Sequence, residues 1–147
     1  MSNVTWLLPQ TPVTENELAN FSSVSDYPLP EDFKLWLLKH NGACPEPSEI
    51  LSSEGFTFII NSFVSFSGKD TPNVLSILKM LKGRISKGLL PIAEDHGGNY
   101  VCFRCLSTTA EPDVVLWDHE EANQGIGIKP VAASFTELVQ LLARGKC

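Results

Sequence analysis

Two short stretches set acids beside imidazoles: Glu94-Asp95-His96 and Asp118-His119-Glu120-Glu121. Two carboxylates and two imidazoles can ligate zinc or a catalytic metal. The spacing of Asp95, His96, Asp118 and His119 matches no metal motif, however, and each acid has a turn to serve. Cys102 and Cys105 form a C-x-x-C, which is half a zinc site or a redox pair. Their segment, Tyr100 to Leu106, reads as a strand, where residues three apart face opposite ways. No second C-x-x-C and no H-x-x-x-H completes a site. Cys44, Cys102, Cys105 and Cys147 therefore read as reduced thiols. Gly-x-Ser-x-Gly is absent, and Gly97-Gly98 lacks the Lys-Ser/Thr of a phosphate loop. No catalytic residue, metal ligand or cofactor is expected.

Charge offers a different chemistry. The formal net charge is −6, unevenly placed along 147 residues. Residues 15–54 and 94–121 are strongly acidic, while 69–87 and 129–147 are basic. The overall sign argues against nonspecific nucleic-acid binding, which needs phosphate neutralisation. It suits a cationic partner. Lys79, Lys82, Arg84 and Lys87 read as the solvated face of a helix, with contact to an acidic partner or nucleic acid as the alternative. No apolar run reaches the roughly 18 residues of a membrane span. No cationic-then-apolar leader is visible, so a cytoplasmic protein is expected.

These residues need elements to hold them. Residues 1–13, with Trp6 ahead of Pro9 and Pro12, read as a tail or edge strand; Trp6 stands as a candidate exposed anchor. The domain proper is expected over 14–147. Thr14-Glu15-Asn16-Glu17 is a capping-box pattern, with Val13 and Leu18 placed as a hydrophobic staple. Leu29-Pro30 opens a second helix, proline being at home in the first turn. Phe33, Trp36, Leu37 and His40 form its buried stripe, and Asn41-Gly42 stops it. Residues 43–54 read as a proline-broken loop and 55–66 as a strand. Val74, Ile77, Leu78, Leu81 and Ile85 mark a third helix. Strands are expected at about 89–93, 99–106 and 114–118, separated by Gly97-Gly98 and a turn at Glu111-Pro112-Asp113. Gly125, Gly127 and Pro130 break the next stretch. Ser134-Phe135-Thr136-Glu137 is a second capping-box pattern, opening a C-terminal helix. The element order is not that of a doubly wound parallel sheet. It predicts a single α+β domain: a mixed, largely antiparallel sheet packed by about four helices.

Four stretches together resemble the SUKH superfamily, which groups yeast cell-wall regulators with many bacterial immunity proteins. They are Leu29-Pro30-Glu31-Asp32-Phe33, with Trp36, running to Asn41-Gly42; Leu90-Pro91-Ile92-Ala93-Glu94-Asp95 with Gly97-Gly98-Asn99; Val115-Leu116-Trp117-Asp118-His119-Glu120; and Ser134-Phe135 through Leu142. In this reading Leu29, Pro30, Phe33, Trp36, Gly42, Pro91, Gly97, Gly98 and Trp117 are structural. The resemblance implies an α+β domain and, for the bacterial branch, neutralisation of a toxin by binding. It brings no common catalytic residues.

If the three strands from 89 to 118 form a meander, the end of the first and of the third lie on one edge of the sheet. Glu94, Asp95, Asp118, Glu120 and Glu121 would then gather in one anionic patch. Such a patch can occupy the basic active-site cleft of a cognate protein toxin, such as a nuclease. The competing role for Asp95 and Asp118 is structural, bonding the turn and the chain after the strand. The alternative function is a regulatory or scaffold domain, as in the cell-wall-regulator relatives; the absence of long disordered flanks counts against it. An apolar edge near 55–66 would pair with a second copy or be covered, so monomer and homodimer both stand.

Overall fold

The computed structural model describes residues 3–105, 111–121 and 127–145. Leu106, Gly125 and Cys147 lie outside them. The elements run β1 (Thr5–Leu7), α1 (Glu15–Ser25), α2 (Glu31–His40), β2 (Cys44–Glu46), β3 (Glu49–Leu51), β4 (Thr57–Phe63), α3 (Val74–Leu81), β5 (Leu89–Asp95), β6 (Tyr100–Arg104), β7 (Asp113–Trp117), β8 (Ile128–Ala132) and α4 (Phe135–Ala143). This is the expected α+β class with four helices. The main sheet has six strands in sequence order, β3 to β8, each pair antiparallel. A second sheet pairs β1 with β2.

The helix starts follow local chemistry. The Thr14 hydroxyl accepts from the Glu17 amide while the Glu17 carboxylate accepts from the Thr14 amide, closing the capping box. Val13 and Leu18, the staple pair, are both buried. Pro30 is the N-cap of α2 rather than a first-turn residue, because its ψ of 146° is still extended. Ser134 caps α4 by accepting from the Glu137 amide, without the reciprocal carboxylate bond. The third helix ends at Leu81. Ile85, Lys82 and Arg84 thus fall beyond the helix, on a turn closed by the Leu81 carbonyl.

Two stretches read as irregular are strands. Residues 43–54 hold β2 and β3, each three residues long and too short to show alternation, with Pro45 inside β2 and Pro47 between them. The stretch around Gly127 and Pro130 holds β8. Proline is tolerated there because β8 is an edge strand, with one row of amides unpaired. Pro91 sits inside the sheet, but at a register shift between Pro91 and Ala93 in the β5–β6 pairing. Residues 55–66 do not form an edge: β3 covers β4 on one side and β5 on the other.

The central strands β5, β6 and β7 are buried on both faces, which explains their near-continuous apolar runs. On one face Phe33, Trp36, Phe63, Phe103 and Phe135 interlock, mostly edge to face at centroid distances of 4.7–6.5 Å. Trp6 joins this cluster: half-buried, it packs 5.0 Å from Trp36 and 5.6 Å from Phe63. It is a strap over the core, not an exposed anchor. His40 is likewise half-buried, its ring beside Trp6 and Trp36. The indole nitrogen of Trp36 is the one buried side-chain polar atom without a hydrogen-bond partner among the described residues.

A polar hub ties the N-terminal segment to the core. Asn41, 2% exposed, donates from Nδ2 to the Thr11 carbonyl and Ser65 Oγ, and its Oδ1 accepts from the Phe66 amide. Gly42 follows at φ +74°, and a Cβ there would meet the Gln10 side chain at 2.9 Å.

Candidate functional site

The meander forms, and it brings the two acidic strand ends to one side. Glu94, Tyr100 and Trp117 lie in one cross-strand row, so the ends of β5 and β7 are two strands, about 10 Å, apart. The carboxylates gathered there divide into two kinds.

Asp95 and Asp118 are engaged by their own turns. Asp95 is buried; its Oδ1 accepts from the amides of Gly97 (2.9 Å) and Asn99 (2.7 Å), and its Oδ2 from Asn99 Nδ2 (3.1 Å). Gly98 takes the left-handed position of this turn at φ +82°. The His96 amide donates to the Ile59 carbonyl, fastening the turn to β4. Asp118 Oδ1 accepts from the amides of Glu120 and Glu121, which folds the chain back after β7. Its other oxygen lies 3.7 Å from Lys129 Nζ.

Glu94, Glu120 and Glu121 have more freedom. Glu120 is the most open, its side chain 83% exposed. The Glu121 side chain is 40% exposed and pairs with Lys129 at 3.5 Å. Glu94 is half-buried beside Tyr100. The Tyr100 phenol is pushed up first by burial and then by the charge of Glu94.

Asn99 connects the two turns and Lys129 braces the second. Asn99 gives its amide nitrogen to Asp95, which fixes the amide's orientation. Its oxygen then accepts from the His119 amide at 3.1 Å and lies 2.6 Å from His119 Nδ1. An acceptor at that position places a proton on Nδ1 and leaves Nε2 turned toward Glu120, 4.0 Å away. Lys129 comes from β8, yet its ammonium also lies over the Phe56 ring, 5.8 Å from the centroid. Phe56 precedes β4, near the opposite edge of the sheet, so the sheet curls far enough to bring its two sides together. For Asn99, its place after Gly97-Gly98 was the available signal; for Lys129 there was none, since it reaches Asp118 through the pairing of β8 with β7, where it lies opposite Leu116.

The metal reading loses its ligands here. Asp95 is saturated by the turn, His96 is exposed and tied through its backbone, and Asp118 faces a cation. Among the described residues no three His, Cys, Asp or Glu side chains converge on one point. Cys102 is fully buried and its thiol is pushed far above its ordinary range by that burial. Cys105, just past β6, is raised to about 11 by burial and then by Asp113. Neither forms a thiolate near neutral pH, so neither acts as a reactive thiol.

The outcome is a domain whose distinctive feature is a charged, turn-locked rim rather than a deep polar cleft. The chain matches the model of the SMI1 / KNR4 family (SUKH-1) over residues 12–141 and belongs to that family. Comparison with curated proteins yields no match. No helix among the described residues is long and apolar enough to cross a membrane.

Proposed function

We propose that this protein is an immunity protein that binds a cognate protein toxin and occludes it without catalysis. The observation that carries this reading is the acidic rim. Glu94, near the end of β5, and Glu120 and Glu121, in the turn after β7, lie beside two turns that Asp95, Asn99 and Asp118 hold in place, within a chain of the SUKH-1 family. Preorganised carboxylates lose little freedom on docking, and an anionic rim accelerates capture of a cationic cleft. Asp95 and Asp118 serve this role by positioning, and Glu94, Glu120 and Glu121 by contact. The partner is a toxin with a basic active-site cleft; neither nucleic acid nor membrane is a direct ligand in this reading, and the complex forms in the cytoplasm.

The test is titration against any toxic domain encoded beside this protein, following toxin activity and association rate. Stoichiometric inhibition is expected, with an association rate that falls as salt rises. Charge reversal by Glu94→Lys and Glu120→Lys should slow association without unfolding the protein. Failure to inhibit any neighbouring toxin overturns the reading and favours the regulatory role known among its relatives. Inhibition that ignores both salt and these substitutions moves the contact surface elsewhere.

A further inference from the structure

A cavity of about 590 Å³ opens between α2, α4 and the N-terminal strap, within the roughly 300–1,000 Å³ of ligand-sized clefts. No residue of the acidic rim lines it. Three aromatic rings do. Trp36 and Phe135, both buried, lie 5.5 Å apart, and the half-buried Trp6 stands edge to face against Trp36 at 5.0 Å. Val139 and Ala143, four residues apart and so on one face of α4, add an aliphatic surface.

The polar groups of the cavity divide unequally. The acceptors of Asp32 are already engaged: Oδ1 accepts from the Phe33 amide, and Oδ2 from the amide and hydroxyl of Thr136. The donors are not. Arg144 enters no ion pair among the described residues. Trp36 Nε1 is buried without any hydrogen-bond partner. That N–H has already given up its water, so an acceptor that reaches it gains a bond at no further desolvation cost to the indole. Asp32 and Arg144 are the charged residues of the lining, one of each sign, and their sum selects neither an anion nor a cation.

We infer that this cavity binds a small, flat, uncharged heteroaromatic molecule whose edge presents a hydrogen-bond acceptor to Trp36 Nε1. Its faces pack among Trp6, Trp36 and Phe135, where aromatic contact adds to the burial of apolar area. Trp6 is the wall that yields to admit the acceptor edge, because it sits in β1, three residues paired with β2 alone. The aromatic anchors of a protein partner fit less well: Phe carries no polar atom, and the Trp indole offers a donor where an acceptor is required.

The experiment uses the full chain, with quinoline and naphthalene as probes, the same bicyclic shape with and without a ring-nitrogen acceptor. Binding is read from the indole N–H signals of Trp6, Trp36 and Trp117, with Trp36 assigned by its loss in Trp36→Phe. Quinoline is expected to bind at least about threefold more tightly than naphthalene, the gain of one hydrogen bond. It should move the Trp36 proton downfield and leave Trp117, which does not line the cavity, unmoved. Trp36→Phe keeps an aromatic wall without the donor and should equalise the two probes. Ala143→Leu narrows the cavity and should weaken both by a similar factor; with the Trp36 proton shift it carries the test if Trp36→Phe does not fold. The inference is overturned if quinoline does not bind, if the two probes bind the unaltered chain equally, or if the preference survives in Trp36→Phe. It also fails if a Gly-Trp-Gly peptide displaces quinoline at lower concentration than quinoline itself requires, or if concentrating the protein alone shifts Trp6 and Trp36, since the occupant would then be a protein segment or a second copy. None of these readings involves the acidic rim, so loss of toxin binding leaves the inference standing, and its own failure leaves the rim untouched.

Discussion

Asp95 and Glu120 belong to the same acidic rim, and the structure assigns them opposite sensitivities. Replacing Asp95 with Ala removes an acceptor for three hydrogen bonds of 2.7–3.1 Å at a carboxylate only 6% exposed. Hydrogen bonds to charged groups contribute about 1.5–3 kcal/mol each, but the exposed turn lets water reclaim some of the orphaned donors, so the net cost is set at about 3 kcal/mol. For a chain of this size that corresponds to a fall in Tm of about 6–12 °C. Asp95→Asn keeps the shape but points a donor at either the Gly97 and Asn99 amides or the Asn99 side chain, costing about 1–2 kcal/mol. Glu120→Gln, at a side chain 83% exposed, should change stability by less than about 0.5 kcal/mol. Urea unfolding followed by circular dichroism, compared at a common m-value, measures all three. The reasoning is refuted if Asp95→Ala costs under about 1 kcal/mol, or if Glu120→Gln costs as much as Asp95→Ala. Either result would mean that the turn is not what holds the rim.

Three further outcomes follow from the same geometry. Asn41→Asp puts an oxygen against the Thr11 carbonyl and leaves an uncompensated charge in a buried site; urea unfolding should show a loss of about 2–4 kcal/mol, where a residue that merely ended a helix would tolerate the change. Asp70 is held below the usual carboxylate range, first by Ser65 and then by Thr11. Its contribution is therefore complete above the unfolded carboxyl pKa and lost as pH falls through the lower folded value. The urea midpoint should drop below about pH 4, and Asp70→Asn should flatten that part of the profile. Cys102 should resist thiol alkylation at pH 8 in the native protein and react at once when urea is added, as peptide mapping by mass spectrometry would show; native labelling as fast as that of the half-buried Cys44 would contradict its burial.

Local chemistry was legible wherever it acts within a few residues. The Thr14–Glu17 box, the Phe33-Trp36-Leu37 stripe, the Gly42 stop and the meander of β5 to β7 each depend on short-range periodicity or caps. So does the structural role of Asp95, whose partners lie within four positions. Short strands were not legible. Three residues of β2, with a proline among them, carry no period to count, and β8 holds its Pro130 only because it lies at an edge.

The pattern of apolar and acidic residues along the chain thus determined the fold class, most helix starts and the gathering of carboxylates at one end of a meander, because each is a consequence of spacing. What the tertiary structure alone decided is which charges remain available. Lys129 reaches Asp118 and Glu121 because β8 pairs with β7, and Phe56 because the sheet curls, while Asn41 becomes a hub because Thr11, Ser65 and Phe66 converge on it from distant segments. Neutralising a carboxylate or burying an amide needs a partner in space, and no local pattern records which distant residue that partner is.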